Sequence, residues 1–292
     1  MSAVRRRLAV IACLFVVAFV VAFVVAGCAS PESGQAAPEP SPATTSSPAP
    51  SSSAAPSSTA PPSSTKPRKT KKPAPPPVSG VVVLDPGHNG GNASNPSEIN
   101  RQVPAGRGRT KPCNTTGTAT NAGFPEHAFT WAVSVKVRDI LTARGVKVLL
   151  TRPSDTGVGP CVDARAAVGN DSGAAAVVSI HADGSTDAAA HGFHVAYSSP
   201  PLNAEQGEPS MRLARTMRDG MRSAGFPLST YIGSGGLSPR DDLGGLNLST
   251  RPAVLVECGN MRNAAEAAKF SSPAGQQAYA NAIAAAIVAY LG

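Results

Sequence analysis

Three apolar segments of this 292-residue chain are each followed, at once or within four residues, by a side chain that can bind a metal or move a proton. These side chains are His88 after residues 81–84, His181 after residues 177–180 and Glu257 after residues 254–256. One histidine after a strand is more often structural than a metal ligand. Two histidines and a glutamate in equivalent positions favour a shared site, because catalytic zinc commonly takes two imidazoles and one carboxylate.

A further ligand is offered by the adjacent residues Glu126 and His127. They open a predicted helix, residues 126–144, whose apolar residues recur on one face. Helical geometry places Glu126 on that apolar face, which packs on the sheet, and turns His127 about 100° away from it. We therefore expect Glu126 to be the ligand, with His127 left as a group that supports the site.

Strands alternate with helices along residues 80–292, which predicts an α/β domain with a mostly parallel twisted sheet and helices on both faces. The predicted strands are 81–84, 146–151, 175–180, 192–197 and 253–256, and the predicted helices are 126–144, 163–169, 210–224 and 273–291. In such folds the chemistry collects just beyond the carboxyl ends of the strands. The two histidines and Glu257 occupy such positions.

Five short motifs, spread over residues 81–292, resemble those of the zinc-dependent N-acetylmuramoyl-L-alanine amidases of the type-3 fold. They are Leu84-Asp85-Pro86-Gly87-His88, Glu126 at a helix start, Thr151-Arg152-Pro153, Ser179-Ile180-His181-Ala182 and Val254-Leu255-Val256-Glu257-Cys258-Gly259-Asn260. Each motif is weak alone, but five in this order are specific. The long Gly/Asn-rich loop and the pair Cys113 and Cys161 resemble the mycobacterial members in particular.

The resemblance implies a zinc ion (Zn2+) held by His88, Glu126 and His181, and a catalytic glutamate at Glu257. It implies hydrolysis of the amide bond between N-acetylmuramic acid and the L-alanine of the peptidoglycan stem peptide. Two other functions stay open: a zinc endopeptidase or carboxypeptidase acting within the stem peptide, and a non-catalytic wall-binding lipoprotein. The second is disfavoured, because degenerate enzymes usually lose a ligand or the general base.

The chain departs from the family directly after His88. Its residues there are Asn89-Gly90-Gly91-Asn92, where many members have a glycine-rich run that includes an acid. This difference leaves the contacts of the loop open, although it leaves the ligands in place.

The N-terminal residues predict an export signal over residues 1–28. Arg5, Arg6 and Arg7 precede an apolar run, and Val25-Ala26-Gly27-Cys28 resembles the lipobox of bacterial lipoproteins, whose cysteine is lipidated. The run is about 20 residues long, so a retained transmembrane helix is the main alternative. We expect an extracytoplasmic protein that is anchored to the cell membrane through Cys28.

Residues 29–79 are rich in Pro, Ser, Ala and Thr and predict a disordered linker, which leaves residues 80–292 for the catalytic domain. The chain carries a net charge of +8, but most of the excess lies before residue 80 and only +2 remains on residues 81–292. A domain that binds nucleic acid carries its positive charge on the folded surface. We therefore expect no nucleic-acid partner, and we expect a monomer.

Three cysteines follow the predicted linker. Cys113 and Cys161 lie in polar loops, and a pair of loop cysteines in an exported protein favours a disulfide bond between them. Cys258 follows an apolar strand and is expected to be a free, buried thiol.

Other polar residues have less specific interpretations. His191 and His194 are three residues apart at the start of a predicted strand, so we expect them on opposite faces in core or surface roles. Arg240, Asp241, Asp242 and Asn247 are candidates for lining a substrate groove.

Overall fold

The structure, a computed structural model, describes residues 79–292. The predicted export signal, the lipidation site Cys28 and the predicted linker up to residue 78 lie outside the described residues. Within them, a central sheet of six strands has helices on both faces. The predicted α/β class is therefore confirmed.

The central sheet is mostly parallel. Its strands are β1 (Val81–Pro86), β4 (Lys147–Leu150), β5 (Ala176–Asp183), β6 (His194–Ser198), β7 (Leu237–Arg240) and β8 (Ala253–Asn260). They are ordered β4-β1-β5-β8-β6-β7, and only the pairing of β6 with β8 is antiparallel. A separate hairpin of β2 (Gln102–Pro104) and β3 (Thr110–Pro112) lies within the long Gly/Asn-rich loop.

Seven α-helices are found among the described residues. They are α1 (Pro96–Ile99), α2 (Glu126–Thr142), α3 (Val162–Asp171), α4 (Glu208–Ser223), α5 (Gly244–Asn247), α6 (Ala264–Phe270) and α7 (Pro273–Leu291). The predicted helix from residue 126 ends two residues early, because the chain turns at Gly145, whose φ of 84° suits glycine. Within residues 79–292, none of these helices combines the length and hydropathy that crossing a membrane requires.

The alternation of side chains along the strands gives the sheet two different faces. Toward α2, α4 and α7 it presents mainly apolar side chains, among them Val82, Leu84, Val178, Ile180 and Val256. Each such fully buried side chain contributes roughly 1.5–3 kcal/mol. The other face carries a smaller apolar cluster beneath α3 and α5. The alternate residues of β5 and β8, which include His181 and Glu257, belong to this second face.

Candidate active site

His88, Glu126 and His181 come together at the carboxyl ends of the strands. Glu126 Oε2 lies 3.1 Å from His88 Nε2, and Glu126 Oε1 lies 3.0 Å from His181 Nδ1. One ligand atom from each residue lies within 4.8 Å of the other two, which makes this a possible metal site. The structure thus brings together the three residues that were predicted to be ligands.

Glu126 is buried and is held by main-chain donors as well as by the imidazoles. The N–H of Thr118 donates to its Oε2 at 3.0 Å, and the N–H of Ala182 donates to its Oε1 at 3.1 Å. Burial raises the pKa of Glu126, but the adjacent His88 and His181 outweigh this effect and hold the pKa below its usual range. The carboxylate is therefore charged and oriented between the two histidines.

His127, the alternative to Glu126, does not join this cluster. Its Nδ1 lies 2.8 Å from Oδ2 of Asp155, on the other side of the first helical turn. Asp155 also accepts a hydrogen bond from the buried Arg152. The structure therefore places Glu126 at the cluster and His127 beside it, hydrogen-bonded to a different partner.

The turn that carries His88 is held from two sides by buried arginines. Arg165 donates to the main-chain oxygens of Pro86 at 2.6 Å and of His88 at 2.7 Å. Arg152, which has no exposed surface, donates to the same Pro86 oxygen at 3.1 Å and to the His127 oxygen at 3.0 Å. Arg152 thereby joins the end of β1 to the first turn of α2, the two elements that carry His88 and Glu126.

Asp85 neutralises part of this buried positive charge. It receives hydrogen bonds from Arg165 at 2.8 Å, from Thr151 Oγ1 at 2.6 Å and from Ser179 Oγ at 2.7 Å. Burial alone would raise its pKa, but Arg165 and these hydrogen bonds lower it to about 2. Asp85 and Arg152 belong to motifs quoted from the sequence, but the sequence pattern assigned no role to either.

Glu257 lies beside the cluster, on β8. It is in register with His181 of β5 on one side and with His194 of β6 on the other. Its Oε2 is buried and accepts no hydrogen bond from any described residue. Burial raises the pKa of Glu257 well above its usual range, and the negative charges of Asp183 and Glu126 raise it further. A carboxyl group of this kind suits proton transfer near neutral pH.

The two other histidines occupy different environments. His194 is 1% exposed and its Nδ1 lies 3.6 Å from Oδ2 of Asp183, which also accepts a hydrogen bond from the Tyr231 hydroxyl at 2.9 Å. Burial lowers the pKa of His194 to about 4, so the imidazole is neutral at pH 7. The strand begins only at His194, so His191 lies in the preceding loop and not, as predicted, on the opposite face of a strand.

A cavity of about 390 Å³ opens in front of the cluster. His88, Glu126, His181 and Glu257 line one end of it, and apolar side chains, including Val162, Val177, Leu246 and Leu255, line the other. None of the four predicted groove residues lines it. Arg240 pairs with Asp242 at 2.7 Å, while Asn247 is buried and donates to the main chain of Ala105.

The three cysteines are arranged as predicted. Cys113 and Cys161 form a disulfide bond that closes 48 residues of chain, and Cys258 is a free, buried thiol on β8. The bond joins the residue that follows β3 to the residue that precedes α3. It therefore fixes one wall of the cavity.

A sequence model of the N-acetylmuramoyl-L-alanine amidase family matches residues 82–289. This chain belongs to that family. The match spans nearly the whole described part of the amidase and includes every residue of the cluster.

Individual relatives support the assignment. N-acetylmuramoyl-L-alanine amidase Rv3717 of Mycobacterium tuberculosis (strain ATCC 25618 / H37Rv) is 50% identical over 218 residues, which cover 74% of this chain and 89% of the relative. The crystal structure of the apo form of Ami1 from Mycobacterium abscessus is 56% identical with a TM-score of 0.70, covering 73% of this chain and 98% of Ami1.

Ami1 from Mycobacterium smegmatis is 52% identical with a TM-score of 0.72, and the match covers 75% of this chain and 99% of that structure. The resemblance to mycobacterial members that the sequence motifs indicated is thus confirmed. The chain is an N-acetylmuramoyl-L-alanine amidase, an enzyme that hydrolyses peptidoglycan.

Proposed function

We propose that this amidase uses a zinc ion held by His88, Glu126 and His181, with Glu257 as its general base. The observation that carries the proposal is the cluster itself, in which three ligand atoms lie within 4.8 Å of one another at the end of a cavity. Two imidazoles and one carboxylate are a common ligand set of catalytic zinc, and three protein ligands leave a position for water or substrate.

When bound, zinc supplies a Lewis acid that polarises the amide carbonyl and lowers the pKa of water. Glu257 takes a proton from the water molecule that attacks the lactyl carbonyl carbon of N-acetylmuramic acid. Its Oε2 is free to accept that proton, because no described residue occupies it. As the C–N bond breaks, Glu257 delivers the proton to the leaving nitrogen of L-alanine. The products are a lactyl carboxylate on the glycan and a stem peptide with a free amino group.

Product analysis separates this reaction from its competitors. Muramoyl dipeptide is incubated with the zinc-loaded protein, and the products are identified by mass spectrometry. We expect free N-acetylmuramic acid together with the intact dipeptide. Cleavage after L-alanine would instead identify a peptidase acting within the stem peptide, and binding to peptidoglycan without any product would identify a non-catalytic wall-binding protein.

The Glu257→Gln variant is the matched control for that measurement, since it keeps the size of the side chain and removes its ability to accept a proton. We expect it to give no product above background within the time of the assay. Equal product from both proteins would contradict the assigned role of Glu257.

We further propose that the protein is exported and anchored to the cell membrane as a lipoprotein through Cys28. Support comes from the basic residues, the apolar run and the lipobox-like sequence before Cys28. On this proposal residues 1–28 are the signal, residues 29–79 are the linker and residues 80–292 are a monomeric catalytic domain.

In bacteria fed a labelled fatty acid, the wild-type protein should carry label in the membrane fraction and Cys28→Ala should not. Membrane retention of an unlabelled Cys28→Ala protein would favour a transmembrane helix instead.

A further inference from the structure

The loop directly after His88 contains an asparagine whose side chain bridges two other loops. Asn92 is fully buried, and its Oδ1 accepts a hydrogen bond from the N–H of Gly159 at 2.9 Å. A main-chain N–H can only donate, so this contact fixes the orientation of the amide group. The Nδ2 of Asn92 then donates to the carbonyl oxygen of Thr115 at 2.8 Å.

The same Thr115 carbonyl oxygen also forms a hydrogen bond with the imidazole of His88. His88 Nδ1 lies 3.0 Å from this oxygen and 3.1 Å from Oγ1 of the same threonine. A carbonyl oxygen only accepts, so Nδ1 carries the proton and Nε2 keeps its lone pair. Nε2 is also the atom that lies 3.1 Å from Oε2 of Glu126, so its lone pair faces the proposed metal position.

Gly159, the other partner of Asn92, is itself firmly held. Its carbonyl oxygen accepts hydrogen bonds from Asn89 at 3.0 Å and from Arg165 at 2.9 Å. Arg165 also donates to the carbonyl oxygen of His88. Asn92 therefore links the fixed loop at Gly159 to the Thr115 carbonyl, which orients the His88 ring.

From these contacts we propose that Asn92 is a positioning residue for the metal ligand His88. By holding the Thr115 carbonyl, it sets both the tautomer and the direction of the imidazole. This inference rests on the proposed function in one respect, since it takes His88 as a zinc ligand. It gives a role to the segment in which this chain departs from the family pattern, Asn89-Gly90-Gly91-Asn92.

Replacing Asn92 by aspartate isolates the donated hydrogen bond. Aspartate has nearly the same shape and still offers an oxygen to the Gly159 N–H. A carboxylate cannot donate a hydrogen bond, however. Its oxygen would face the carbonyl oxygen of Thr115, and the two acceptors would repel each other. Asn92→Ala removes the donor without adding a charge, and it serves as the second variant if Asn92→Asp fails to fold.

Asn95→Asp is the matched control. Asn95 lies three residues away in the same loop, and its Nδ2 donates at 2.8 Å to the carbonyl of Gly91, which does not contact His88. The control makes the same chemical change to an asparagine that caps a main-chain carbonyl. Any general effect of a new charge in the loop will appear in both aspartate variants.

The measurements are zinc affinity by competition with a chelator, the visible spectrum of the cobalt-loaded protein, and thermal unfolding without metal, all on the full-length chain. Loss of a group that orients a metal ligand typically lowers metal affinity about 10- to 100-fold. We expect a loss of that size and an altered cobalt spectrum for both Asn92 variants, with Asn95→Asp unchanged in both.

Wild-type zinc affinity in the folded Asn92 variants would overturn the inference and leave the proposed zinc site intact. An equal loss of affinity in Asn95→Asp would also overturn it, because the effect would then belong to the loop as a whole. A wild-type chain that binds no zinc would overturn the proposed zinc site, and the positioning role with it.

Discussion

The two faces of the central sheet are held by different kinds of interaction. On the face toward α2, α4 and α7, contacts are almost entirely apolar and include the stacked rings of Phe226, Phe270 and Tyr279. On the face toward α3 and α5, the apolar cluster is small, and hydrogen bonds from Arg165, beside the Cys113–Cys161 disulfide, hold the loops.

The two faces therefore contribute differently: the apolar face mainly to the stability of the fold, and the other face mainly to the geometry of the site. Apolar contacts are non-directional and contribute free energy in proportion to the area that they bury. Hydrogen bonds from a buried guanidinium fix the direction as well as the distance of their partners. The proposed metal ligands and the proposed general base lie where directional contacts predominate. Changes on the two faces should therefore alter different observables.

The largest effect should follow from removing a ligand. His88→Ala or His181→Ala leaves two ligands, which hold zinc weakly. We expect metal and activity to be lost together. Metal content after dialysis and initial rates on muramoyl dipeptide, taken from one preparation, provide the check.

Glu126 and His127 supply the internal control for this experiment. Glu126→Ala should strip the zinc, whereas His127→Ala should leave it in place, because only Glu126 reaches the two ligating histidines. The opposite result would exchange the roles of the two residues.

Loss of the general base should come next in size. Glu257→Gln should retain close to one zinc per chain and lose about 10²–10⁴-fold in rate, the usual contribution of a general acid–base group. The zinc stoichiometry distinguishes this variant from the ligand variants. Nearly full activity would show that Glu257 is structural.

A substitution on the apolar face should give the opposite pattern. Phe129 is fully buried on α2 and packs edge-on against Phe270 and Tyr279. Phe129→Ala should lower the free energy of unfolding by about 3–5 kcal/mol, since it removes buried contacts and leaves a cavity. Chemical denaturation measures this loss. The zinc affinity of the folded fraction should stay unchanged, and a parallel fall in affinity would contradict the separation of the two faces.

The disulfide should contribute as much to the free energy of unfolding as the Phe129 side chain does, or less. In the chain-entropy model, a bond that closes 48 residues stabilises by about 4 kcal/mol. The Cys113→Ser/Cys161→Ser variant should unfold at lower denaturant concentration by that amount at most. Alkylation of the denatured, unreduced wild type should label Cys258 alone, and labelling of Cys113 would refute the bond.

The smallest effect should appear only in the pH profile. Glu257 acts as a base in its charged form, so the rate falls as the pH drops through its raised pKa. Burial is the main cause of that raised pKa, and the charge of Asp183 adds to it. Asp183→Asn should therefore lower the pKa of Glu257 and move the acid limb of kcat/KM to lower pH. An unchanged limb would mean that Asp183 does not influence the base.

Features that depend on local pattern could be predicted from the sequence. His88, His181 and Glu257 follow apolar strands, and the 3.6-residue period separates Glu126 from His127. These signals need only a few neighbouring residues, and the residues occupy the expected places.

The features that could not be predicted depend on partners distant in the chain. The bond from Arg165 to the His88 carbonyl spans 77 residues, and Asn92 reaches Gly159 across 67. Nothing in the composition of a short apolar segment reveals its direction, so the antiparallel pairing of β6 with β8 was also invisible. For the same reason β7, with four residues and a proline, gave no strand signal.

The order of the strands places the parts of the site on elements of unequal local stability. His181 and Glu257 lie side by side on β5 and β8, the two central strands, whereas His88 follows the end of β1 in a turn. Central strands exchange their amide hydrogens only through large openings, while turns do so through small local ones. Local opening on the β1 side of the cluster should therefore move His88 while His181 and Glu257 remain in position.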